Sequence, residues 1–204
     1  GGNLAATTDA NNGVINMGTL AVDGTIALTT NGTGAATVVN DAGLAFAAST
    51  VGGTLSATAT TGDITDSGTL TITGVSTFIT AASGSNIILD DSSNAFAVGV
   101  AMKADTGGNE VFGNITFVDS ADVKLDSDAG SAGDLFIDAS TDGAVGGNLS
   151  VTAITGNSTQ GVALAITGAT TLVTSANDGT ITLGTSTNAF TGALTITTND
   201  ASGT

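Results

Sequence analysis

Along the chain, hydrophobic residues alternate with polar or small ones over short stretches. Examples are Ile26-Ala-Leu28, Leu70-Thr-Ile72, Val123-Lys-Leu125, Leu135-Phe-Ile137, Leu149-Ser-Val151, Leu164-Ala-Ile166, Ile181-Thr-Leu183 and Leu194-Thr-Ile196. A period of two predicts strands of about three to five residues with one face turned inward. Each stretch is bounded by Gly, Asn, Asp or Ser, as in Asn31-Gly-Thr-Gly34, Ser83-Gly-Ser-Asn86 and Asn177-Asp-Gly179. These residue types accept the sharp bends that separate short strands. No stretch carries the 3.6-residue periodicity of a helix.

The strands recur in a larger pattern. Residues 52–96 match residues 146–190 without a gap at an offset of 94, with 22 identities in 45 positions. Gly1-Gly2-Asn3-Leu4 opens a third, more divergent copy, so repeats start near 1, 52 and 146. Polar residues that precede a small residue and a hydrophobe, Asn16, Asp41, Asp66 and Asp91, lie 25 apart each time. A unit of about 24–25 residues holding three short strands predicts an all-β fold, a parallel β-helix (β-solenoid) of about eight coils. Its boundaries fall near 1, 26, 52, 76, 101, 126, 146 and 170, with 126–145 the shortest turn. Equivalent strands of successive coils would pair about 4.8 Å apart and make a rod roughly 40 Å long. A β-sandwich or an up-and-down barrel would not produce a gap-free repeat of this length.

The whole of residues 1–204 reads as a single solenoid segment. It starts on Gly1-Gly2, and both ends cut the repeat, with Thr204 equivalent to Glu110. A piece of a longer repeat protein is therefore expected, and open ends of such a rod invite self-association by end-to-end strand pairing.

Composition narrows the chemistry. The 204 residues contain 30 Gly but no Pro, Cys, Trp, Tyr or His, and the net charge is -16. The lack of proline suits strands that both donate and accept ladder hydrogen bonds. Without His or Cys there is no Ser/His/Asp or Cys/His nucleophile, no zinc or iron site of the usual N/S ligands and no disulfide framework, so no enzyme is expected. Two basic residues against 18 acidic ones would repel nucleic acid and an anionic membrane surface. The longest apolar-plus-Gly run, Ala95 to Met102, is far too short to span a bilayer.

Three segments carry a resemblance: GGNLSVTA from Gly146, ITDSGTLTITG from Ile64 to Gly74, and ITLGTSTNAFTGALTIT from Ile181 to Thr197. They resemble the repeats of filamentous-haemagglutinin-type proteins, giant bacterial surface and secreted adhesins. The resemblance covers nearly the whole chain but is specific to a style of repeat. It implies a right-handed β-helical shaft, an extracellular or cell-surface location, a structural role in a fibre, adhesin or sheath, and no active site. The alternative function is a solenoid module that binds a glycan or another cell-surface ligand, although no Trp or Tyr is available for sugar stacking.

The densest acidic region runs through Asp119, Asp122, Asp126, Asp128, Asp134, Asp138 and Asp142, with Lys124 the single cation inside it. Clustered carboxylates in loops are the chemistry of calcium sites. Asp126, Asp128 and Asp134 are the candidate calcium ligands, and calcium is the one cofactor the sequence raises. Position five of that loop is Gly130 rather than an acid or amide, and no Glu follows at the twelfth position. Solvated loop charges are the plainer reading of the cluster. Asp41, Asp66 and Asp91, one expected coil apart, would line one edge, as acids do in some glycan-cleaving β-helices. The second repeat replaces Asp66 by Gln160 and Asp91 by Thr185. Thr-x-Thr pairs (Thr69/Thr71/Thr73, Thr180/Thr182, Thr195/Thr197) are the residues of a threonine face only if they fall on one side. Asn31, Asn114, Asn148 and Asn157 head formal glycosylation sequons.

Overall fold

The computed structural model describes residues 1–104, 112–137 and 146–199. Every regular element among them is a strand, and every pairing is parallel. The chain is a β-solenoid of about eight turns with three faces. The first face stacks nine strands: Leu4–Thr7, Thr25–Thr29, Leu44–Phe46, Ile64–Asp66, Ile87–Leu89, Ile115–Asp119, Leu149–Ala153, Thr170–Asn177 and Leu194–Asn199. The second stacks Ile15–Leu20, Ala36–Asn40, Leu55–Ala59, Ser76–Thr80, Val100–Ala104 and Asp134–Ile137, then Val123–Leu125 and Ser158–Gln160. The third is made of Ser49–Val51, Leu70–Ile72 and Ala95–Phe96 and, beyond these, the separate pair Ala165–Ile166 with Ala189–Phe190.

Period-two patterning converts directly into burial. In Leu55–Ala59 and Leu149–Ala153 the first, third and fifth residues face the core and the other two face outward. Inward Leu, Ile and Val of successive coils form ladders, and four phenylalanines run along the interior. Phe46 meets Phe78 edge-on at a centroid distance of 6.2 Å, Phe78 meets Phe96 at 6.2 Å, and Phe96 meets Phe117 at 5.4 Å. Each such pair contributes about 0.5–1.5 kcal/mol beyond its area burial.

The register corrects the expected coil length. Ala36 pairs with Leu55, Leu55 with Ser76 and Ser76 with Val100, so these coils take 19, 21 and 24 residues. On the first face Leu44 pairs with Ile64 and Ile64 with Ile87, coils of 20 and 23 residues. The 25-residue spacing of polar starts is therefore not a coil: Asp66 lies beside Phe46, not Asp41. The segment expected to hold the shortest turn lies instead within the longest, since Ile115 pairs with Leu149, 34 residues on. The additional length holds Val123–Leu125 and Asp134–Ile137, two parallel neighbours joined by a short loop.

The two copies of the repeat, offset by 94 residues, occupy different faces. Leu55–Ala59 and Ser76–Thr80 belong to the second face, whereas their sequence equivalents Leu149–Ala153 and Thr170–Asn177 belong to the first. Ile64–Asp66 lies on the first face and its equivalent Ser158–Gln160 on the second. The change falls between Val100–Ala104 and Ile115–Asp119. Glycine columns mark it independently. A Cβ on Gly74 would collide with the backbone of Gly53 one coil below, at the corner entering the second face. After the change, Gly168 stands in the same relation to Gly147, and Gly192 to Gly168, at the corner entering the first face.

Candidate functional site

The acidic region is where carboxylates are densest, and the structure divides it. Asp119 ends its strand buried, 2% exposed, with Oδ1 at 3.5 Å from the donating N–H of Phe96. Burial raises its pKa to about 6, against the lowering effect of its backbone hydrogen bonds. Asp122 accepts the N–H of Asn157 at 2.5 Å. Asp126 is paired with Lys124, whose Nζ also lies 3.6 Å from the buried Asp134. The hydrogen bond from Lys124 holds the Asp126 carboxyl below its ordinary range and raises the lysine. Asp134 additionally accepts the N–H of Ser131, and Asp128 accepts that of Gly130. Asp126 and Asp134 therefore meet around an ammonium group, while Asp128 closes its own loop. Among the described residues no three acidic side chains converge as a metal site would require. Asp138 and Asp142 lie outside the described residues.

Asp41 does not share an edge with Asp66 and Asp91, because Phe46 is the residue in register with Asp66. Asp66 accepts from Asn94 Nδ2 at 2.6 Å and from the N–H groups of Asp90 and Asp91, and burial raises its pKa. Asn94 in turn accepts the N–H of Leu70 at 2.8 Å. The second repeat rebuilds the same bracket with neutral groups: Gln160 and Asn188 exchange hydrogen bonds at 2.7 and 3.0 Å, and Asn188 accepts from Leu164. Asp66 thus has a structural duty that an amide fulfils equally. The threonine pairs are scattered too, with Thr71 on the third face and Thr195 and Thr197 on the first.

A row of Asx side chains runs up the corner that opens the first face. Asp63 Oδ1 accepts the N–H of Asn86 at 2.7 Å, Asn86 Oδ1 that of Asn114 at 2.8 Å, Asn114 Oδ1 that of Asn148 at 2.9 Å, and Asn148 Oδ1 that of Ala169 at 2.8 Å. Each side chain ties one coil to the next and satisfies a corner N–H that no strand partner reaches. Two shallow depressions lie beside this row. The lower, about 310 Å³, is lined by Asp23, Ala45, Asp63 and Thr65 among others, and the upper groove, about 420 Å³, by Asn86, Ile88, Asn114, Thr116, Asn148 and Ser150 among others. Asp63 of the lower is hydrogen-bonded to Asn86 of the upper. Sequence reasoning missed this groove as a site, although the sequon-like Asn114-Ile-Thr116 and Asn148-Leu-Ser150 encode it. In each, Asn stands at the corner, the hydrophobe faces inward and the hydroxyl faces out.

A family model matches residues 33–103 and 113–197, most of the chain. The chain belongs to the family described as repeats of unknown function (DUF5649). No curated protein and no solved structure matches it. The two DUF5649 matches part between residues 103 and 113, where the strands change face. The family unit is thus a sequence unit that stacks on either face of the solenoid.

Proposed function

We propose that this DUF5649 chain is a segment of the shaft of an extracellular fibre, adhesin or surface sheath. The observation that carries this reading is the uninterrupted first face, nine parallel strands stacked along one axis. Every internal strand both donates to and accepts from each of its two neighbours, as where the Ala36 N–H donates to Thr54 O and Asn40 O accepts the Thr60 N–H, so extension along the axis opposes a continuous array of backbone hydrogen bonds. The aromatic column and the Asx row add side-chain ties from coil to coil. The resemblance to filamentous-haemagglutinin-type repeats supports the adhesin form of the proposal. The net charge of -16 supports an outer surface that keeps neighbouring shafts apart. No helix among the described residues is long and apolar enough to cross a membrane.

Electron micrographs of the native source material test the reading. Power spectra of filaments with strong meridional signal near 4.8 Å, the inter-strand spacing, are the expected result. Discrete particles without that repeat would overturn it.

A further inference from the structure

We propose that the groove beside the Asx row binds a neutral, linear polysaccharide laid along the solenoid axis. This goes beyond the shaft reading and does not depend on it.

The argument starts from charge. In a chain with 18 acidic residues, none of the side chains lining the upper groove is charged. The lining offers amides from Asn86, Asn114 and Asn148, hydroxyls from Thr116, Ser150 and Thr171, and two outward aliphatic groups, Ile88 and Ala169. The amides are oriented in advance. Because Asn114 Oδ1 and Asn148 Oδ1 each accept a backbone N–H from the coil above, their NH2 groups are turned away from the backbone. Both side chains are exposed, and their NH2 groups donate to no other described residue. The result is two fixed donors on successive coils, Asn114 and Asn148, beside a column of hydroxyls that both donate and accept, while the NH2 of Asn86 is taken up by Asp63 at 3.3 Å.

The ligand class follows from what this lining can and cannot satisfy. A polyanion meets no cation in the groove and a net charge of -16 around it. An extended peptide gains most from backbone pairing at a sheet edge, but the groove lies on a sheet face whose backbone groups are already paired within the ladder. A chain of hydroxyl-bearing units uses both halves of the lining, and the stacking of coils repeats the same groups about every 4.8 Å along its length. Without aromatic rings each unit is held weakly, so affinity grows with the number of coils engaged.

Native gel electrophoresis through gels containing mixed-linkage β-glucan, arabinoxylan or soluble α-glucan tests the proposal, with carboxymethyl-cellulose as the anionic control. Retardation by at least one neutral polymer and none by the anionic one is expected. Asn114→Asp and Asn148→Asp keep the ladder acceptor, a role Asp63 and Asp122 already fill, but lose the donor. Each should weaken retardation about tenfold, the worth of one hydrogen bond, with the melting temperature unchanged. Thr171→Val, which keeps shape and loses the hydroxyl, should act in the same direction. No retardation by any of the three neutral polymers, equal retardation by the anionic one, or variants that bind as the parent would overturn the proposal. None of these outcomes alters the filament power spectrum, so the groove and the shaft stand or fall separately.

Discussion

Ser76 and Thr170 stand at the same position of the two long repeats, 94 residues apart, and each carries a buried hydroxyl with no hydrogen-bond partner. Both begin a strand at an inward position that Leu55 and Leu149 fill one coil below. A buried, unpartnered hydroxyl costs about 1–3 kcal/mol relative to an apolar group of the same shape. Ser76→Ala and Thr170→Val should therefore raise the melting temperature, each by about 2–4 °C per kcal/mol recovered in a chain of this length. Thermal melts followed by circular dichroism check this, and a lowered midpoint for both would show that the hydroxyls are satisfied in solution.

Acid should stabilise the protein before it destabilises it. Burial holds the folded pKa of Asp119 at about 6, above the ordinary 3.8. The contribution of this carboxyl is fully present below pH 3.8 and is lost as the pH rises through about 6. The loss amounts to at most about 3 kcal/mol at neutral pH. Asp66, also raised by burial, changes in the same direction. Asp119→Asn keeps an acceptor for the N–H of Phe96 and removes the ionisation. The variant should be more stable than the parent at pH 7 and should show a flatter stability curve between pH 4 and pH 7. Urea titrations across that range would contradict the assignment if the two curves ran parallel.

The aromatic column sets where the interior is least tolerant. Phe78 is fully buried and touches both Phe46 and Phe96. Phe78→Ala should cost about 3–5 kcal/mol. Ile79, its outward neighbour on the same strand, should tolerate Thr at a cost within about 0.5 kcal/mol. Equal losses at the two positions would mean that the inward and outward faces of this strand are misassigned.

Much of this architecture is legible in the sequence, because each inward residue of a short strand announces itself by alternation. Leu70–Ile72, Val123–Leu125 and Leu149–Ala153 form where the pattern places them. Ile181-Thr-Leu183 has the same pattern but contributes only a bridge from Ile181 to Ser158. Alternation fixes which way a side chain points, not whether the neighbouring coil arrives in register. Coil length was legible only approximately, since corner loops differ by several residues while the ladder hydrogen bonds stay in step. The Asp66 bracket was misread for a related reason. Its partner Asn94 lies 28 residues on, more than one coil away, and no local motif joins them.

The change of face was invisible to the repeat itself, since identical spacing in both copies argues for identical placement. Engineered disulfides distinguish the two arrangements, and the absence of native cysteine gives a clean background. Thr116 and Ser150 are outward neighbours in register on the first face. Parallel neighbours at about 4.8 Å lie within the Cα separation a disulfide accepts, about 4.4–6.8 Å. If the second repeat instead kept the face of the first, Ser150 would follow Ser56, Thr77 and Ala101 on the second face. Thr116→Cys with Ser150→Cys should therefore oxidise readily to an intramolecular disulfide, seen as a mobility shift on non-reducing gels. Ala101→Cys with Ser150→Cys should remain reduced in the folded chain. The reverse result would place both repeats on one face, and with it the Asx row from Asp63 to Asn148 would lose its continuity, because its upper half depends on Asn114 and Asn148 standing at the corner of the first face.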